Sequence, residues 1–307
     1  MISNAELDEV GRWLTQNPPL CADREARRAQ LNRIQMATDE FPDSAYHEYM
    51  NTWAKQTEAA ALERVGVLYY LAQRLARAVE EVRTAKVTRG LLAWHFYNMG
   101  YVFKTADACF GIDLHGRGLE GLAGNLDFLL LTHSHPDHWT PALLKELQTR
   151  GKPVVSNWCD FGTRLAGPQE LLLGHTKIRV TLGDHNCNNP AQHNNMLLYE
   201  VQAGGAAIYH VGDNANLEKM KPTQPIDLYM FHVQVGLPVV ESIRKVNARL
   251  ALASHVLELG HSRFPPYAWR WSYDFAYECI QEFPAERAEV PAWGERYETP
   301  GTEWRFV

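Results

Sequence analysis

The sequence predicts an α/β fold in which a helical N-terminal segment precedes a body of short strands. Three observations predict it. Apolar residues recur every three to four positions up to about Ala85, then alternate from Leu91 onward. Several short apolar strands end in a residue of metal-ligand type at their C-terminal edge. The chain of 307 residues, 46% hydrophobic and 21% charged, has ordinary globular composition and length enough for a sizeable core.

The N-terminal segment comes first. Asp43 or Ser44 after Pro42 offers a helix cap. From there Leu62, Val65, Tyr69, Ala72, Ala76 and Val79 form a stripe that Leu68, Leu71, Leu75 and Val82 widen. We read one long amphipathic helix, Ala45 to Arg83 with a break, packed on the body of the protein. A dimer interface or a substrate lid is the alternative use of that stripe. The expected division is a helical extension over 1–88 and a catalytic body over 89–307.

In the body, Leu92, Trp94 and Phe96, then Tyr101 and Phe103, then Cys109, Gly111 and Asp113 read as short strands joined by tight turns. "NLDFLLLT" reads as a buried strand. "TPALLKELQTR" has a Thr140 cap, Pro141 in the first turn and helical spacing, so it reads as a helix. "KPVVSN" and "GHTKIRVTLGDH" are strands. "NMLLYEV" and "GGAAIYHVGD" form a strand pair turned by Gly204–Gly205. "PIDLYMFHV" is a strand, "VVESIRKVN" a helix and "ARLALASH" a strand. The aromatic tail "FPPYAWRWSYDFAYECIQEF" closes over part of the body, with Trp269, Trp271, Tyr273 and Tyr277 as core or as pocket wall.

Composition excludes several classes. A formal net charge of −6 gives no electrostatic footprint for nucleic acid or an anionic membrane. Five cysteines, an odd number without a C-x-x-C pair, argue against a disulfide framework and for a reducing compartment. The polar N-terminus lacks a signal-peptide layout, and no apolar run reaches membrane-span length. A soluble cytoplasmic protein acting on a small molecule is expected.

The chemistry concentrates in "THSHPDHW". His133 and His135 are two apart, so in an extended segment both imidazoles face one point. Asp137 and His138 follow in a turn opened by Pro136 and approach from another direction. Two ligand pairs suit two adjacent metals, and imidazole with carboxylate suits zinc, iron or manganese. The remaining donors must come from later strand ends: His185 after "VTLGD", Asp213 after "IYHVGD" and His255 after "LALAS". His193 rivals His185, and His261 rivals His255. His232, at another strand end, is a candidate for substrate contact, as is His193 if it is not a ligand. Asp127 reads as structural, or as a partner of a ligand imidazole.

This arrangement resembles the metallo-β-lactamase superfamily over about Leu91 to Glu298. "IYHVGDNAN" and the "WGERYE" ending are most similar to the branch containing L-ascorbate-6-phosphate lactonase. The resemblance implies a four-layer αβ/βα sandwich with metals at one edge of its sheets, and it matches Asp113 to the aspartate of the opening strands. It implies that His133, His135 and a third histidine, His185 before His193, hold one metal. Asp137, His138 and His255 would hold a second, and Asp213 would bridge both.

Such a pair, zinc first and manganese or iron as alternatives, would generate a bridging hydroxide that attacks an ester, lactone or phosphoester, with Asp137 steering it. The lactonase-like branch tilts the expected substrate towards a small, polar compound, with or without a phosphate group. Two other readings stand beside the hydrolase: an O2-activating diiron oxidoreductase on the same ligands, and a non-catalytic metal-binding scaffold assembling through the N-terminal helix.

Overall fold

The computed structural model describes residues 2–51, 56–64, 66–187, 193–265 and 268–299. Two seven-stranded sheets stack face to face. The first runs in the order β14 (Arg296–Thr299), β1 (Leu91–His95), β2 (Tyr101–Lys104), β3 (Cys109–Ile112), β4 (Phe128–Leu130), β5 (Val154–Ser156) and β6 (Thr163–Arg164). The second runs β13 (Ala288–Glu289), β12 (Leu250–Ser254), β11 (Leu228–His232), β10 (Ala206–His210), β9 (Met196–Ala203), β8 (Thr176–Gly183) and β7 (Gln169–Leu173). Strand alternation decides which side chains meet between the sheets. Ala93, Tyr101, Phe103, Phe110 and Leu130 of the first sheet pack there against Leu197, Tyr199, Ile208 and Met230 of the second. The opposite faces, carrying Trp94, Leu129, Tyr209 and Phe231, pack under helices. The expected four-layer αβ/βα sandwich is therefore the observed architecture.

The β9–β10 turn falls at Gly204 and Gly205, both at positive φ (58° and 80°), as a two-residue hairpin of this hand requires. In contrast, β6 and β7 were not legible as strands. They are short or exposed and carry no clean apolar alternation.

The N-terminal segment is divided more often than the long helix with one break expected over Ala45–Arg83. The structure divides it into α1 (Asn4–Gln16), α2 (Arg24–Asp39), α3 (Asp43–Asn51), α4 (Gln56–Leu62) and α5 (Gly66–Thr84). The apolar stripe continues across the junctions, so periodicity alone does not reveal them. Gly66 stands at φ 62°, a conformation a continuous helix cannot contain. Val65 lies outside the described residues. In the body, α6 (Pro141–Thr149) lacks the expected Thr140 cap. The Thr140 hydroxyl instead donates to Gly116 O (3.2 Å) and accepts from the Gly116 N–H (3.0 Å), tying α6 to the loop after β3. The remaining helices named here are α7 (Val239–Val246) and α8 (Tyr273–Cys279).

The N-terminal helices are anchored by buried polar groups as well as by apolar packing. Arg27 of α2, with no exposed surface, makes two 2.6 Å bonds to the Glu295 carboxylate and one of 3.0 Å to Val290 O. Arg74 of α5 donates to Trp293 O at 2.9 Å. No helix among the described residues is long and apolar enough to cross a membrane.

Removing one partner of a buried ion pair leaves the other charge uncompensated. Arg27→Ala is thus expected to cost about 3–5 kcal/mol in urea unfolding. A loss of well under about 1 kcal/mol would mean that Glu295 is not a buried anion.

Candidate metal centre

β4 ends at Leu130, and the chain continues extended to His135 before Pro136–His138 forms a single 3-10 turn. This turn gathers four of the predicted donors. Three other strand ends meet it: β8 brings His185, β10 brings Asp213 and β12 brings His255. The result is two groups of four donors, His133–His135–His185–Asp213 and Asp137–His138–Asp213–His255. In each, the donor atoms lie within 4.8 Å of one another, and Asp213 belongs to both. Asp213 Oδ2 stands 3.7 Å from His133 Nε2, 3.6 Å from His185 Nε2, 3.3 Å from His138 Nε2 and 3.9 Å from His255 Nε2.

One glycine makes this approach feasible. Gly212 has φ 48°, and a Cβ there would stand 2.8 Å from Thr132 Oγ1. Only glycine lets the end of β10 press against the Thr132–His138 turn.

Hydrogen bonds orient the imidazoles. Asp113, fully buried, accepts from the Thr132 N–H (2.8 Å), the Thr132 hydroxyl (2.6 Å) and His138 Nδ1 (2.9 Å). His138 therefore presents Nε2 to the cluster. The Thr132 hydroxyl spends its proton on Asp113, so its oxygen accepts from His133 Nδ1–H at 3.0 Å. His133 Nε2 is then a bare lone pair, buried without a hydrogen-bond partner, as is Asp213 Oδ1. A buried polar atom without a partner is costly. His133 Nε2 faces the shared centre, 3.7 Å from Asp213 Oδ2, where a cation would satisfy it. His255, at φ 64°, donates its N–H to Asn98 O (3.2 Å) and sets Nε2 3.0 Å from Asp137 Oδ2. Asn98 Nδ2 donates to the same Asp137 oxygen at 3.2 Å.

The electrostatics agree with a site built for positive charge. Burial pushes His133 well below the usual imidazole range, and the neighbouring His138 adds to that. Burial likewise lowers His185 to about 4. Burial alone would raise Asp137 and Asp213, but His138 and His255 hold both well below the carboxylate range. Burial would also depress His138 and His255. Yet Asp213, Asp137 and Asp113 hold His138 well above 6.5, and Asp213 with Asp137 raises His255 to about 9. The carboxylates thus demand cationic charge beside them. Imidazole and carboxylate donors in this mixture match zinc, iron or manganese.

Other candidates fall elsewhere. His193 is exposed, with Nε2 2.8 Å from Cys187 O, and belongs to neither group. His261 pairs with Glu258 instead of joining the cluster. Asp127 accepts from the Cys109 N–H at 2.8 Å and touches no ligand-type imidazole in the hydrogen bonds seen. His232 is buried and stacks on His255 with ring centroids 4.0 Å apart. His210, not expected as a donor, contacts Met99 O and the Gly212 N–H and so shapes the turn that carries Asp213. Asn188 and Asn189 lie outside the described residues. Sequence reasoning missed Thr132, Asn98 and Glu258. Single hydroxyl, amide and carboxylate groups in turns carry no periodic signal.

A cavity of about 670 Å³ opens over the cluster, with His135, Asp137, His185, Asp213 and His255 in its floor and His232 and Trp271 among its walls. Tyr273 and Tyr277 are core residues of α8, whereas Trp269 and Trp271 line this cavity.

A family model described as a beta-lactamase superfamily domain matches residues 100–255, a stretch that contains every donor of both groups. Igni18, a metallo hydrolase from the archaeon Ignicoccus hospitalis KIN4/I, is similar at 16% identity and TM-score 0.51, over 68% of this chain and 98% of its own. YhfI from Bacillus subtilis, a metallo-beta-lactamase fold protein, is similar at 16% identity and TM-score 0.53, over 68% of this chain and 100% of its own. CmlA from Streptomyces venezuelae, a diiron beta-hydroxylase, is similar at 13% identity and TM-score 0.52, over 78% of this chain and 61% of its own. At these identities the likeness is one of fold. No curated protein matches the sequence.

Metal content separates the two rival histidines. His185→Ala is expected to lose metal in elemental analysis of the purified protein, whereas His193→Ala retains it. Asp113→Asn, which spoils the acceptor for Thr132 and His138, is expected to weaken metal binding by about 10- to 100-fold. Equal retention in His185→Ala and His193→Ala would contradict the assignment of His185.

Proposed function

The chain belongs to the metallo-β-lactamase superfamily, and we propose that it is a metal-dependent hydrolase of small carboxylic esters or lactones. The observation that carries this reading is the sharing of Asp213 by two four-donor groups at the floor of a cavity. His133, His135 and His185 would hold one divalent ion, Asp137, His138 and His255 a second, and Asp213 both. Zinc is the first choice on donor chemistry, with manganese and iron as alternatives. When bound, such ions lower the pKa of a water towards about 7 and stabilise charge developing on oxygen.

The chain's own residues do the rest. Asp137, fixed through Oδ2 by Asn98 and His255, lines the cavity and is assigned to orient the attacking water and take its proton. The water oxygen bonds to the acyl carbon, the acyl–oxygen bond breaks, and the alkoxide leaves with a proton. An ester yields one carboxylic acid and one alcohol, whereas a lactone opens to a single hydroxy acid. His232 lies in the cavity wall, and burial holds its pKa well below 6.5, so it is neutral. Its Nδ1 accepts from the Gln234 N–H at 2.9 Å, which leaves the proton on Nε2. We assign that N–H as a donor to the substrate oxygen. No serine or cysteine nucleophile is required.

A second reading is an oxygen-activating diiron enzyme. One observation supports it: the diiron hydroxylase is similar over 70–78% of this chain, against 68% for Igni18 and for YhfI. Metal identity separates the readings. The hydrolase reading expects zinc or manganese and activity without oxygen, whereas iron with an oxygen-sensitive absorption band would favour the second.

Chelation should abolish hydrolysis of simple lactones and aryl esters, and added zinc or manganese should restore it. His232→Phe is expected to lower kcat/KM by about 10²-fold with metal content unchanged. A screen of esters and lactones without metal-dependent turnover would overturn the hydrolase reading.

A further inference from the structure

We infer that the wall facing the His–Asp cluster, formed by Glu258–Arg263 and Trp269–Trp271, is a recognition surface for an uncharged, flat, apolar part of the substrate. It therefore selects unphosphorylated substrates. This inference rests on the hydrolase reading and deepens it.

Two features point to apolar recognition. Among the described residues, four large hydrophobic side chains are notably exposed, and one of them, Trp269 at 42%, lines this cavity. Clustered exposed aromatics at a cavity mouth mark binding surfaces more often than isolated ones do. Trp271 and Trp269 both line the cavity, and Trp269 meets the His261 ring edge-on at 5.3 Å. Indole faces take flat apolar groups at low entropic cost.

The charge pattern points the same way. No lysine or arginine lines the cavity among the described residues. The neighbouring segments 188–192 and 266–267 contain none in sequence. Two arginines lie in or beside the wall: Arg270 is committed elsewhere, and Arg263, an exposed side chain, does not line the cavity. Arg263 stands 3.4 Å from Asp39 and over the Phe264 ring. Arg270 is buried and turns its guanidinium to the carbonyls of Glu258, Leu259, His261, Thr38 and Phe41 and to Asp43. His261 is already paired with Glu258. Among the described residues, a phosphate remote from the reacting bond would thus meet in the cavity lining neither the bidentate cation nor the point cation that usually binds it.

The wall is also held rigid. Arg270 joins three of its carbonyls to two at the α2–α3 junction, and His47 Nε2 lies 3.0 Å from Gly260 O. The N-terminal helices therefore brace the recognition surface from behind. A preformed aromatic surface binds without first having to be ordered.

The test uses the full-length, metal-containing protein. Three lactones are compared: dihydrocoumarin (aromatic and uncharged), γ-butyrolactone (small and aliphatic) and 6-phosphogluconolactone (phosphorylated). Binding of 2-tetralone, an uncharged bicyclic ketone without a hydrolysable bond, is followed separately by quenching of tryptophan fluorescence. The expected result is a higher kcat/KM for dihydrocoumarin than for 6-phosphogluconolactone. In Trp269→Ala and Trp271→Ala the dihydrocoumarin-to-butyrolactone ratio should fall about tenfold. Tetralone should bind those variants more weakly, while Leu172→Ala, on an exposed strand elsewhere, should bind it as the wild type does. Preference for the phosphorylated lactone, or an unchanged ratio in both tryptophan variants, would overturn the inference while leaving the hydrolase reading intact. Tetralone binding that depends on Trp269, with no lactone hydrolysed, would support the wall and remove the hydrolase reading. Tetralone binding indifferent to both tryptophans would overturn the wall.

Discussion

The buried carboxylate of Asp113 is the constraint on which the site depends. It sits just beyond β3 at φ 49°, a backbone conformation that non-glycine residues seldom adopt. Such strain persists only where surrounding contacts over-determine it, and three hydrogen bonds do so here. Through them one side chain fixes the turn after β4 and the proton positions of two imidazoles. His138 is set directly, and His133 through the Thr132 hydroxyl. Both rings then aim Nε2 at Asp213. The geometry of the cluster is thus a property of hydrogen bonds one step removed from it.

The sandwich explains why distant donors can meet. Strands β4 and β5 of one sheet run parallel to their neighbours; in the other, β10, β11 and β12 run parallel to one another, and β8, antiparallel to β9 as β10 is, points the same way. Parallel strands present all their C-terminal ends at one edge, and the donors hang from those ends. A rigid, fully apolar core between the sheets holds the edges in register. The N-terminal helices add the outer support, through Arg27 and Arg74 near β14 and through Arg270 behind the cavity wall. The extension belongs to the same buried apolar cluster as the helices of the body.

Much of this was legible in the sequence, and the reasons are local. His133 and His135 share a face because extended chain alternates, and Asp213 and His255 follow apolar strands long enough to be recognised. The sandwich came with the family resemblance that those strand ends carry, since short strands and helices in this order do not by themselves specify it. What was not legible depends on three-dimensional distance. His185 and His193 both lie between β8 and β9, and only the path of the chain brings one of them to Asp213. Thr132 and Asn98 act through single polar atoms in turns. A break in the long helix was expected, but its position at Gly66 is not legible because Leu62, Leu68 and Tyr69 keep the helical spacing on either side. Thr140 has the composition of a cap but is drawn to Gly116 by tertiary contact. The expected substrate class came from resemblance and left a phosphate group open, because which side chains line the cavity is a property of the fold.

The central claim is that four strand ends converge on a pair of cations sharing Asp213. Anomalous diffraction from crystals of the purified protein tests it most directly. The account predicts two peaks about 3.5–4 Å apart, one among His133, His135 and His185 and the other among Asp137, His138 and His255, with the Asp213 carboxylate between them. A single peak away from Asp213, or metal bound only outside this cluster, would contradict it.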